Sequence, residues 1–157
     1  MTRGIEVLPS IDAPANAAVL KALRANAPDA RIESAVETAD TWQLGTHPDL
    51  VEHLWSTLGG QLPQRCARVV YEQPVLAHPS TSTIFAFTGG TGTLAMRLPA
   101  GLLRDALSVE GFGKTLRYPS VVLCARDFGP AWAFVEPFGA EAPRFCLGAY
   151  EASQSLE

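Results

Sequence analysis

Lysine is almost missing from this chain. Of twelve basic residues only Lys21 and Lys114 are lysines, and the ten arginines stand singly from Arg3 to Arg144. Duplex binding needs clustered cations that displace counterions, and no run of that kind is written here. With sixteen acids the net charge is −4, so the global field repels phosphate backbones. Nucleic acid is therefore not an expected partner. Cysteine is scarce too: Cys66, Cys124 and Cys146 are odd in number and far apart, with no CxxC pair. That spacing writes neither a zinc knuckle nor a redox dithiol, and it fits three small buried hydrophobes in a reducing compartment. Long apolar runs are absent as well. None approaches the roughly 18 residues of a membrane span, and the N-terminal stretch through Pro9 and Asp12 lacks the core of a signal peptide. The expected location is the cytoplasm, away from the membrane.

What remains is an ordinary globular composition. Hydrophobic residues make up 47% and charged residues 18% of 157 positions, enough for one core without a covalent staple. Residues 1–157 read as a single domain. Residues 1–45 are readable as a βαβ-like subdomain or extension, although no composition break marks a boundary.

Periodicity gives the element order. Ile5, Val7 and Leu8 suggest an opening strand. A helix capped by Asp12 follows, with Val19, Leu20 and Leu23 on one stripe. Residues 31–44 fit either helical or strand spacing. Thr46-His47-Pro48-Asp49 reads as a capping box opening a helix, with Leu50, Val51, Leu54, Trp55 and Leu58 facing inward and Gly59-Gly60 ending it. Strands are expected at Val69–Tyr71 and Val75–Ala77, and a helix over about 100–108. Further strands fall at Leu116–Tyr118, Val121–Cys124 and Ala131–Val135, before a last helix from Pro143.

The glycine-rich segment Gly89-Gly90-Thr91-Gly92-Thr93 is the nearest thing to a chemical motif. A phosphate-cradling loop hands its ligand to a helix N-terminus, whereas here Leu94, Met96 and Leu98 alternate and Pro99 follows. A β-hairpin fits better. A two-residue type II′ turn at Gly90-Thr91 would pair Phe87 with Leu94 and Phe85 with Met96 on one face. The other face would then carry Ala86, Ala95 and Arg97, small groups beside one cation. The plain reading is a helix packed close, with Arg97 reaching past it to water. The sharper one is an anion or peptide carboxylate held by Arg97, helped by His78 or Tyr71.

Other chemistry is thinly supported. His47 and His53 are six apart and no HExxH is present, so no metal site is expected. Asp49 and His53 suit a surface pair at i, i+4, and His78 beside Pro79 suits a loop histidine or a general base. Asp127-Phe128-Gly129 matches the kinase tripeptide in letters alone and reads as a turn. Cys66 between Arg65 and Arg68 would have a lowered pKa only if exposed.

The expected fold is α+β, a mainly antiparallel sheet of about five strands with helices packed on one face. From residue 46 onward this element order resembles class I type III secretion chaperones, also small and acidic; the N-terminal extension departs from them, and no motif carries the resemblance. Two functional expectations follow. The first is a non-catalytic binding or regulatory protein that docks a protein or peptide, with a homodimer as one arrangement. The second is a small enzyme or ligand-binding protein with a pocket over the Ala86, Ala95 and Arg97 face. Neither calls for a metal or an organic cofactor.

Overall fold

A computed structural model of the chain describes residues 11, 14–26, 33–34, 47–89, 93–107, 115–117, 122–124, 128, 131–136 and 138–154. The expected strand at residues 5–8, the Asp12 cap, the Thr46 hydroxyl and most of 31–44 lie outside these residues. Of the ambiguous segment, Glu33–Ser34 is strand β1.

The centre is an antiparallel sheet in the order β1-β2-β3-β4-β5-β8, with β2 at Ala67–Val70, β3 at Gln73–Ala77, β4 at Ile84–Gly89, β5 at Thr93–Arg97 and β8 at Trp132–Phe134. β1 contributes only two pairs, so five longer strands carry the sheet. β6 (Thr115–Arg117) and β7 (Val122–Cys124) form a separate antiparallel pair. The helices are α1 (Ala17–Asn26), led by a 3₁₀ turn over Pro14–Asn16, α2 (Pro48–Glu52), α3 (Ala100–Leu107) and α4 (Ala142–Ala152). The class is α+β with an antiparallel sheet, as the periodicity indicates.

The two faces of the sheet are both apolar, and both are covered. Leu76, Phe85, Ala86, Leu94, Met96 and Ala133 pack with Leu54 and Leu58, Ala106 of α3, and Phe145, Cys146 and Ala149 of α4. On the opposite face Val75, Ile84, Phe87, Trp132 and Phe134 pack with Val19 and Leu23 of α1. One helix therefore leaves the expected single layer. A face with that much aromatic and branched surface cannot stay wet, since each large side chain buried there contributes about 1.5–3 kcal/mol. Phe128 completes it, edge-on to Phe87 at 4.8 Å and to Phe134 at 6.1 Å between centroids.

The β4–β5 register differs by one residue from the alternation-based expectation. Phe87 pairs with Ala95, Ala86 with Met96, and Gly89 with Thr93, leaving residues 90–92 between the strands. Gly90-Thr91 is thus not a two-residue connection, and the turn conformation itself lies outside the described residues. Large now faces small across the ladder, which fills both layers without crowding. A register irregularity between Leu76 and Ala77 against β4 supplies the other half of the explanation. There Ala77 pairs with Ile84 and Leu76 with Ala86, so Phe85 is the extra residue and joins Ala86 on the face covered by α3 and α4.

Helix α2 starts one residue later than a Thr46 cap implies. His47 is the N-cap, its Nδ1 accepting the Asp49 N–H at 3.1 Å, and Pro48 occupies the first turn. After Glu52 the helix widens: His53–Leu58 is π-helical, with the Gly59 N–H donating to the Leu54 carbonyl. A 3₁₀ turn over Gly59–Gln61 then ends it.

Candidate functional site

His78 follows β3 in a tight loop, where its N–H donates to the Thr83 carbonyl and its carbonyl accepts from Ser82 at 2.7 Å. Its ring is 3% exposed and stacks on Tyr150 of α4 at 4.7 Å. Nδ1 accepts the Ser80 N–H at 3.0 Å, so the neutral ring carries its proton on Nε2, which is buried with no partner among the described residues. Burial holds its pKa below the ordinary value near 6.5. With one nitrogen occupied and the other protonated, His78 has no free lone pair for a general base.

The loop it opens ties both ends of the described chain together. Buried Asn16, just before α1, donates to the carbonyls of Ile11 and Ser82 and accepts the Ile84 N–H at 2.8 Å. From the other side, Thr81 Oγ1 donates to the Ser153 carbonyl at 2.7 Å, past the end of α4. Ser82, at φ +59°, takes the left-handed conformation this compact loop demands.

Tyr71 and Glu72 close the β2–β3 hairpin with φ of +48° and +63°. Positive φ at both central positions marks the I′ class, which ordinarily wants Asn-Gly. Tyr71 is half-buried against the second core layer, beside Leu20 of α1.

Arg97 is half-buried at the end of β5, paired with Trp132 and therefore on the second face. The three residues singled out from sequence do not converge. Arg97 and Tyr71 share a side of the sheet but sit at opposite ends of it, separated by the length of β3. His78 lies at the Arg97 end but on the α4 side, against Tyr150. The register also places Ala86 and Ala95 on opposite faces, both fully buried, so one pocket over Ala86, Ala95 and Arg97 does not exist.

Among the described residues, two open grooves are lined instead. The first, about 500 Å³, lies where the π-helical segment meets the entry to β2, between Trp55, Gly59 and Gly60 on one wall and Leu62, Pro63 and Arg65 on the other. Trp55 is fixed by its indole N–H, which donates to the Val75 carbonyl at 3.1 Å. Gln64 ties the second wall to α4 through the Tyr150 hydroxyl at 3.3 Å, and Cys66 Sγ points its proton to the Gln64 carbonyl at 3.4 Å. Burial pushes the Cys66 thiol up to about 12, the reverse of an activated thiolate, and Cys146 likewise. The second groove, about 450 Å³, lies between α1 and Tyr71.

His53 does not pair with Asp49; its ring meets that of Phe138 at 4.5 Å, and Phe138 is 58% exposed. Among the described residues no group of three or more His, Cys, Asp or Glu side chains could hold a metal ion, and no helix is long and apolar enough to cross a membrane. Neither groove is announced in the sequence: Gly59-Gly60 reads as a helix stop, and Lys21 and Arg24 belong to no cluster of cations. Asn16 left one trace, a polar residue at i, i+3, i+7 with Val19 and Leu23. No family model, curated protein or solved structure matches the chain.

Proposed function

We propose that this is a non-catalytic binding protein that docks an extended segment of a protein partner in the groove between the π-helical turn and the start of β2. The carrying observation is the groove itself. It is open and about 500 Å³, with apolar walls at Trp55 and Leu62 and polar groups around them, the mixture that peptide-binding clefts use for anchoring and orientation. The wide turn beside it adds support, since π-helical insertions recur at functional sites. Trp55 is a natural anchor, held in place before any partner arrives, which reduces the ordering cost of binding. The partner segment would carry an apolar side chain for that wall, in a reducing compartment where Cys66 and Cys146 stay thiols. A second copy of the chain is one such partner.

Gly60 offers a clean test. A Cβ there meets nothing within 4 Å, so Gly60→Arg adds a long charged side chain at the groove wall without a clash at its base. The reading predicts that this variant loses the partner that the wild-type chain retains from its native cell. An unchanged set of bound proteins contradicts it.

A further inference from the structure

We propose that the second groove, between α1 and the β2–β3 turn, binds a small organic oxyanion, a carboxylate or phosphate ester with an apolar or aromatic body. It is walled by Ala17, Leu20, Lys21, Arg24 and Ala25 on one helix face and by Tyr71 opposite. Lys21 and Arg24 are both exposed, and neither has an ion pair among the described residues. The described lining thus holds two cations and no carboxylate, in a chain whose net charge is −4.

The paired cations of the lining point to an anion, and the Tyr71 turn to an aromatic wall. Like charges at i, i+3 on a helix repel, and a bound oxyanion turns that penalty into attraction. Arg24, in the last turn, also complements the helix dipole; Lys21, a turn earlier, has no such role. Opposite them, Tyr71 is held at φ +48° with Glu72 at +63°, where glycine or asparagine would sit more easily. Strained positions of this kind cluster at ligand sites, and this one sets an aromatic side chain on the groove wall. Leu20 and Tyr71 supply the apolar wall for the ligand body, the two cations its charged end. At about 450 Å³ the groove suits a small molecule. None of this involves the peptide groove on the other side of the sheet.

The test is an amide chemical-shift titration of the full chain with phenyl phosphate, phenylacetate, inorganic phosphate and benzyl alcohol. The proposal expects saturable shifts at Ala17, Leu20 and Tyr71 from one or both aromatic acids, with a dissociation constant of about 1 mM or below. A response to phenyl phosphate alone assigns a phosphate ester, to phenylacetate alone a carboxylate. Lys21→Gln with Arg24→Gln should weaken binding roughly fivefold to tenfold, and added salt should weaken it too. The conservative pair Lys21→Arg and Arg24→Lys should retain it. Both positions are exposed, so an unchanged spectrum elsewhere verifies the fold of each variant. Saturation by neither aromatic acid overturns the proposal, as does equal binding of benzyl alcohol or undiminished binding by the glutamine variant.

Discussion

The Asn16 amide donates to the carbonyl of Ser82 at 2.7 Å while its own oxygen takes the Ile84 N–H at 2.8 Å. One fully buried side chain thus satisfies backbone groups on either side of the bend into β4, and a third at Ile11. Unmade hydrogen bonds in such a place are expensive, because each orphaned buried group loses its water without compensation. Asn16→Ala should therefore destabilise the fold by about 2–4 kcal/mol. Urea denaturation checks this through a lower midpoint with an unchanged slope.

His78 makes stability depend on pH. Its folded pKa lies below the ordinary value near 6.5 because burial disfavours the charged ring. The unfolded chain therefore binds the proton first as pH falls. The contribution of neutral His78 is fully present above about pH 6.5 and is lost progressively as pH drops from there toward the folded pKa. His78→Phe should flatten that part of the stability profile, measured by denaturant midpoints across the acid range. Ser80 N–H would lose its acceptor in the variant, lowering stability at every pH without restoring the slope.

Gly148 lets α3 and α4 approach closely. A Cβ at this position would collide with the end of the Leu102 side chain. Gly148→Ala should cost about 1 kcal/mol, since the half-buried Leu102 can partly swing aside. In combination with Leu102→Ala the two losses should sum to less than their separate values, a coupling that a double-mutant cycle reads directly.

Tyr71 and Glu72 occupy a turn that asks for other residues. Replacing them with Asn-Gly should relieve the turn but give up the packing of the half-buried Tyr71 ring, for a net gain of at most about 1 kcal/mol, visible as a slightly higher melting temperature. The same change should weaken aromatic oxyanion binding at the α1 groove, because the Tyr71 ring is gone. A gain in stability with undiminished binding would show the strain to be incidental.

Cys66 and Cys146 are buried thiols with pKa values pushed up to about 12. Neither should react with a thiolate-selective alkylating reagent at neutral pH in the folded protein. Peptide-resolved mass spectrometry should find both labelled only after unfolding.

Much of the architecture is legible in the residues. The stripe Leu50, Leu54 and Leu58 and the alternation around β3 and β5 specify element types, because burial of one face imposes a period. Register is another matter. Phe85 and Phe87 look like partners on one face, yet the irregularity beside Leu76 and Ala77 puts them on opposite faces. Local periodicity has no means of encoding a residue inserted to suit a neighbouring strand. The candidate site was less legible still. Arg97, His78 and Tyr71 are distinctive in sequence, but strand order and face scatter them, while Trp55 and Leu62 gain their groove only from a change of helical pitch.

Peptide docking beside Trp55 is read in the native cell from a photo-crosslinking side chain placed at exposed Ser56. The expected outcome is a discrete adduct with one polypeptide, abolished by Gly60→Arg and retained when Lys21 and Arg24 are both replaced by glutamine. No adduct, or one that persists with Gly60→Arg, would contradict it.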